Sequence, residues 1–218
     1  MAGAEPRQFT KTLGVSAAMD RNDVELEKEV PLHDGFFRMV RLHLRHRLFA
    51  GGWGPTMARE VLQHGLVAAI IPYDPIRDTV ILIEQFRTAI YAAGDAQPWS
   101  ISIAAGMIEP GENAEEMARR ETLEETGCTV GRLEKVSEFY SSPGGSSQYV
   151  TLFCGEISTE GAGGLYGVVE ETEDIRAFVK TADEAIAMAD EGAIDNAVSI
   201  LGLQWLARNK DDLRARWT

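Results

Sequence analysis

The chain reads as an α+β protein on three observations. Short apolar runs bounded by turn residues recur along it, helical periodicity fills three longer stretches, and the two kinds of segment are mixed without a repeated βαβ unit. The sequence carries no internal repeat and no low-complexity tract.

Taken in order, residues 1 to about 30 are polar and weakly patterned, and the charged stretch Asp20 to Glu29 reads as a solvated lead-in. From Phe36 to Phe49 apolar and basic residues alternate, as in Leu42-His43-Leu44-Arg45, which is the period of a half-buried strand. Ala50-Gly51-Gly52-Trp53-Gly54 then breaks it. Gly65 to Tyr73 and Thr79 to Arg87 are predicted strands joined across an Asp74-Pro75 turn, and Ile101 to Ala104, Leu133 to Tyr140, Tyr149 to Ile157 and Ile175 to Lys180 follow. Helical patterns cover Asn113 to Thr126, Thr181 to Glu191 and roughly Ile194 to Asn209, with Gly127 of the type found just past a helix end.

Composition excludes several function classes. With 218 residues and 44% hydrophobic content, the chain can fill the core of one domain with an appendage or of two small domains. Its 34 acidic residues against 21 basic ones give a net charge of −13, which opposes contact with a phosphate backbone, so nucleic acid is not an expected partner. The longest apolar runs, Leu66 to Ile71 and Val80 to Ile83 among them, fall far short of a membrane span, and the N-terminus has no apolar signal-peptide core. A cytoplasmic location without membrane partners is therefore expected. Cys128 and Cys154 have neither metal-ligand spacing nor a disulfide framework and read as reduced thiols, at least one of them buried.

The chemistry is concentrated in the segment from Gly106 to Cys128. Asn113 with Glu116 makes a helix N-cap of the capping-box kind, so the helix starts near Ala114. At about 100° per residue, Ala114, Ala118, Glu121 and Glu125 share one stripe, with Met117 and Glu124 at its edge. Glutamate-rich helices usually turn such residues to solvent. On a small-residue stripe that faces the core, however, two glutamates four apart combine like-charge repulsion with desolvation unless a cation or donors offset both. Carboxylates without histidine or cysteine nearby suit hard cations such as Mg²⁺ or Mn²⁺, which usually share their coordination with substrate phosphates. Arg120 either orients one of these carboxylates by a bidentate salt bridge or is an ordinary surface arginine.

Gly106, Glu112, Arg120, Glu121, Glu124, Glu125 and Gly127 match the Nudix box, G-x5-E-x7-R-E-U-x-E-E-x-G-U, at every spacing, with Thr122 where a bulky aliphatic residue is usual and Cys128 in the last apolar slot. The segment resembles the Nudix hydrolases. That resemblance implies an α/β/α sandwich around a mixed sheet, with Glu121 and Glu125 as the principal metal ligands and Glu124 and the carbonyl of Ala105 assisting. Ser141 to Ser147, containing Pro143, resembles the marker of the ADP-ribose pyrophosphatase subfamily, and Glu84-Gln85-Phe86-Arg87, Glu171 to Arg176 and Ile194 to Ala197 resemble further segments of it. The likeness runs over most of residues 35 to 218.

By that resemblance residues 1–57 are a lead-in plus an antiparallel β-sheet dimerisation element, exchanged between the protomers of a homodimer, and residues 58–218 are the Nudix hydrolase domain. Phe36 would stack on adenine, or else is a core aromatic, while Arg59, Glu60, Arg87, Met107 and Ser142 would line the site of a small nucleoside diphosphate substrate. The sequence departs from the subfamily at His64, Gln148 and Ser102, where an arginine, a glutamate and a glutamate are usual. The basic strand from Arg38 to Arg47 is a solvated or dimer-interface face rather than a phosphate contact.

Pyrophosphate hydrolysis also calls for a base near the attacking water, since the box glutamates are occupied with metal. Val169-Glu170-Glu171-Thr172-Glu173-Asp174, after the glycine-rich Gly161 to Gly164, supplies a second acidic cluster on a flexible loop. The resemblance picks Glu171 as the base and Glu173 as an added metal ligand, with AMP and ribose 5-phosphate as products. Two rivals stand beside this reading: the same chemistry on another NDP-sugar or a dinucleotide, and a non-catalytic Nudix-fold sensor. The sensor typically loses box glutamates that this chain keeps. A phosphotransferase has no phosphate-binding G-x4-G-K-[ST] loop to support it.

Overall fold

The computed structural model describes residues 19–168 and 172–218. The chain divides into two compact units, Met1–Val61 and Leu62–Thr218.

In the first unit a 3₁₀ turn, Arg21–Asp23, leads into β1 (Val24–Asp34), β2 (Arg38–His46) and β3 (Met57–Gln63), which form a three-stranded sheet in that order. β1 and β2 pair antiparallel from Val24 opposite His46 to Asp34 opposite Arg38. The expectation of a solvated lead-in over Asp20 to Glu29 is corrected here, because its second half is β1. Val24, Leu26, Val30 and Leu32 do alternate along it, but Lys28 interrupts the apolar parity, Glu25, Glu27, Lys28 and Glu29 make the stretch read as solvated, and the strand is indeed exposed along nearly its whole length. Its cohesion comes from the ladder and from Arg38 to Glu29 at 2.8 Å and Arg45 to Glu25 at 2.5 Å, while Arg41 reaches Glu60 on β3 at 2.6 Å. Three arginines of the basic strand are thus neutralised by glutamates, and Arg45 and Arg47 also lie over the Trp53 ring.

The second unit contains β4 (Leu66–Asp74), β5 (Thr79–Phe86), α1 (Thr88–Ala92), β6 (Trp99–Ser102), β7 (Ala104–Met107), α2 (Ala114–Thr126), β8 (Leu133–Tyr140), β9 (Tyr149–Glu156), β10 (Gly164–Tyr166), β11 (Ile175–Thr181), α3 (Ala182–Asp190) and α4 (Ala197–Trp217). The sheet runs β10-β11-β5-β4-β9-β8, with β6 on β5 and β7 on β4. β4 and β9 are parallel and β4 with β5 antiparallel, so the sheet is mixed as expected.

Strand periodicity explains the layers. Alternate residues of the central strands face opposite ways: Ala69, Ile71, Val80, Leu82, Val150 and Leu152 pack with α3 and α4, whereas Ala68, Ile70, Ile81, Ile83 and Phe153 pack with Met117 and Ala118 of α2. Both faces are covered, which gives the α/β/α sandwich. The predicted strand Ile101 to Ala104 is in fact the junction of two strands, since the chain leaves β5 after Ser102 and joins β4 at Ala104. Between them the Ile103 amide donates to Ser199 Oγ at 3.0 Å. Helix α4 outruns its predicted end because Leu213 and Trp217 remain buried beyond the charged stretch, and Lys210 bonds Asp78 and Asp183. Among the described residues no helix is long and apolar enough to cross a membrane.

Candidate active site

Helix α2 begins where Asn113 Oδ1 accepts from the Glu115 and Glu116 amides, each at 3.0 Å, and Glu116 returns the bond to the Asn113 amide at 2.9 Å. It ends at Gly127, whose φ of 70° is the left-handed geometry that glycine adopts without strain. Met117, Ala118, Thr122, Glu125 and Thr126 are buried. Thr122 stands in an aliphatic position at little cost because its hydroxyl donates to the Ala118 carbonyl at 2.7 Å.

The inward stripe therefore carries carboxylates. Glu125 is 2% exposed and accepts from the Ala105 amide of β7 at 3.1 Å. Glu121 lies so close to the backbone of Gly106 that an added Cβ there would come within 2.0 Å of its Oε1. Arg120 is no ordinary surface arginine: it donates to Glu112 Oε1 at 3.0 Å, Glu121 Oε1 at 2.9 Å and Glu124 Oε2 at 2.8 Å. From β5, Gln85 Nε2 reaches Glu173 Oε1 at 3.3 Å.

Burial dominates the electrostatics. It pushes Glu121 up to about 7 against the pull of Arg120, with Glu124 and Glu173 adding to the rise. Glu125 is driven well above the usual carboxylate range by burial and by the charge of Glu121, with the Ala105 amide and Arg87 opposing and Glu173 reinforcing. Glu112 is held low by its hydrogen bonds from Arg120. The neighbouring carboxylates thus oppose the ionisation of Glu121 and Glu125, which a divalent cation would relieve. Among the described residues no three His, Cys, Asp or Glu side chains are gathered as an ion-holding cluster, and Glu121 and Glu124 both bond Arg120. The donor set of hard oxygens suits Mg²⁺ or Mn²⁺. Gln85 Oε1 adds to it as a buried acceptor with no hydrogen-bond partner.

Beside these carboxylates lies a cavity of about 540 Å³ whose lining includes Ala105 and Gly106, the residues that Glu125 and Glu121 touch. That size suits a nucleotide-sized ligand. Of the substrate residues expected from the sequence, Arg87 and Met107 line it, and Ser142 lies outside the lining, in a turn where its carbonyl accepts from the Gly145 and Ser146 amides. Phe36, Arg59 and Glu60 belong to the first unit: Phe36 is 83% exposed, which removes the core-aromatic alternative, and Glu60 is paired with Arg41. Glu171, expected as the base, lies outside the described residues.

The three departures from the subfamily pattern all line the cavity. Gln148 Nε2 lies 3.2 Å from His64 Nε2, and Ser141 Oγ donates to Gln148 Oε1 at 2.6 Å, so two of the departing residues meet at the cavity wall. Ser102 Oγ is buried without a partner. The sequence reading gave Gln85, Asn196 and Ser199 no role. Gln85 was findable, because it continues the parity of Ile81 and Ile83 and so must point inward, whereas Ser199 is indistinguishable from any serine on a helix.

Comparison with known proteins agrees with this geometry. A NUDIX domain model matches residues 63–200. The chain is 42% identical over 197 residues to the ADP-ribose pyrophosphatase of Escherichia coli (strain K12), covering 90% of this chain and 94% of that protein. It is 40% identical over 199 residues to the enzyme of that name from Haemophilus influenzae, at 90% and 92% coverage. A GDP-mannose pyrophosphatase from Cronobacter sakazakii is 33% identical over 186 residues, at 84% and 95% coverage. A solved structure described as an ADP compounds hydrolase superposes with a TM-score of 0.66 over 89% of this chain and 96% of its own, at 14% identity, and so speaks to the fold alone. With the glutamate helix inside the matched region and both layers of the sandwich in place, this chain belongs to the NUDIX domain family.

Proposed function

We propose that this protein hydrolyses the pyrophosphate bond of ADP-ribose, giving AMP and ribose 5-phosphate. The observation that carries the proposal is the pair of inward carboxylates, Glu121 and Glu125, packed on the two residues that border the cavity, in a chain 42% identical to an ADP-ribose pyrophosphatase. Nudix hydrolases generally use divalent metal ions, and here the preferred ion is Mg²⁺, with Mn²⁺ as substitute. When bound, the ion supplies charge neutralisation at the phosphates and acidifies a water.

The chain's own residues do the rest. Glu121, Glu125 and Glu173 hold the ion, with the Ala105 carbonyl and Glu124 assisting. Arg120 orients Glu121 and Glu124, and Glu171 takes the proton from the attacking water. Arg87, Met107 and Ser142 contact the substrate. Arg59 and Glu60 also line the substrate site, and Phe36 stacks on adenine from the N-terminal element of a second copy, exchanged in a homodimer in which residues 1–57 serve dimerisation and 58–218 catalysis. The unpaired cysteines Cys128 and Cys154 suit the reducing cytoplasm.

A second reading, another NDP-sugar as substrate, is favoured by the contact of His64 with Gln148 at the cavity wall, where the subfamily usually has other residues, and by the GDP-mannose pyrophosphatase relative. The test is product analysis with Mg²⁺ across ADP-ribose, GDP-mannose, ADP-glucose and a dinucleotide. AMP with ribose 5-phosphate formed at the highest kcat/KM supports the first reading, and a higher value for another compound replaces it. No turnover of any member would leave the sensor reading standing.

A further inference from the structure

Gln85 sits on β5 two residues beyond Ile83, on the inward parity of the strand, where an apolar side chain would complete the layer against α2. It is an amide instead, 9% exposed. Its Nε2 donates to Glu173 Oε1 at 3.3 Å. An ionised carboxylate only accepts, so this contact fixes which way the amide is turned, since the flipped rotamer would set two acceptors against each other. The fixed orientation leaves Oε1 on the other side, buried and without a partner.

Native proteins rarely leave a buried carbonyl oxygen unmet, and an amide kept in such a place points to a donor from outside the chain. Its surroundings identify that donor. Glu173, which Gln85 bonds, is read above as a ligand of the same cation as Glu121 and Glu125, so Gln85 stands at the margin of the carboxylate set that suits a divalent cation. A hydrated cation brings strongly polarised water hydrogens, the donors that an isolated amide oxygen lacks. Partners of this kind, one step away from the ion, commonly orient the groups that hold it.

We propose that Gln85 is a positioning residue for the cation: its Nε2 turns Glu173 toward the site, and its Oε1 accepts a hydrogen bond from the ion's hydration shell. This rests on the reading of Glu173 as a metal ligand given above. Gln85 touches neither substrate nor reacting atoms and acts through Glu173 and water.

The test uses the full chain stripped of metal with EDTA, Mn²⁺ as probe, and two measurements that do not involve turnover: calorimetric titration with Mn²⁺, and thermal melting with and without it. Gln85→Met keeps the length of the side chain and removes both hydrogen-bonding groups, with Gln85→Leu as the second variant should the first not fold. The expected result is an Mn²⁺ Kd weakened by about 10-fold to 100-fold and a smaller Mn²⁺-induced rise in Tm, while the metal-free Tm holds or increases because an unmet buried carbonyl has gone. A drop in metal-free Tm with an unchanged Mn²⁺ response would show a purely structural glutamine and overturn the inference. Glu125→Gln is the control. If it loses Mn²⁺ binding while Gln85→Met binds normally, the Gln85 inference alone fails, and if Glu125→Gln binds as wild type, the metal reading fails with it.

Discussion

Glu125 concentrates the argument at the scale of single residues, because a carboxylate 2% exposed beside another carboxylate is a poor choice for stability alone. Glu125→Gln should lower turnover by orders of magnitude while the metal-free protein melts no earlier than wild type, since a buried charge has been removed. Near-normal hydrolysis by that variant, or full activity in excess EDTA, would remove its role. The acidic loop separates differently. Glu171→Gln should reduce kcat by about 10²-fold to 10⁴-fold with little change in KM, the usual worth of a positioned base, whereas Glu173→Gln should raise the Mg²⁺ concentration needed for half-maximal rate. Glu170→Gln should do neither. Rescue of Glu171→Gln simply by more Mg²⁺ would show that a ligand had been mistaken for the base. The glutamates of α2 were legible in the sequence because helical geometry alone sets their facing. The meeting of Gln148 with His64 was not, since it joins residues far apart in sequence through the β8 to β9 turn.

Among the elements, the strands legible in advance were those buried on both faces, β4, β5 and β9, where hydrophobic runs and turn residues agree. β1, β3 and β10 were missed: the charges of Glu25, Glu27, Lys28 and Glu29 mask the apolar alternation of β1, Met57 to Gln63 has no regular alternation, and a three-residue strand is defined by its partner rather than by its own pattern. The turn between β4 and β5 shows how such a frame is pinned. Asp74 is 1% exposed and accepts from the Ile76 and Arg77 amides and from the amide and hydroxyl of Thr159. Burial alone would raise its pKa, but these bonds together with the Arg77 guanidinium outweigh burial and hold it below the ordinary carboxylate value. A depressed folded pKa means stability that is present above the unfolded value of about 3.9 and lost as pH falls through the folded one. Asp74→Asn should therefore cost about 1.5–3 kcal/mol at pH 7, the range for hydrogen bonds to a charged group, and the gap from wild type should close in strong acid. Chemical denaturation at pH 7 and at pH 2 to 3 measures both, and a gap independent of pH would show that the charge of Asp74 contributes nothing.

For the whole molecule, the decisive property is the unequal character of its two units. The second owns a core on each side of its sheet, but the first has three strands whose outer one is exposed along its length, with Val24, Leu26, Phe36 and Phe49 open to solvent. A sheet of that size is not expected to be stable with its apolar residues and an eleven-residue edge uncovered. The net charge of −13 supplies no general attraction between copies, so association must come from a specific, self-complementary surface. We therefore expect an obligate dimer built through residues 1–57, with activity that does not survive dissociation. Light scattering combined with assays over a dilution series is the measurement. Specific activity should stay constant while the dimer persists and fall together with it, and an active monomer of 23.9 kDa would show that the site is complete within one chain.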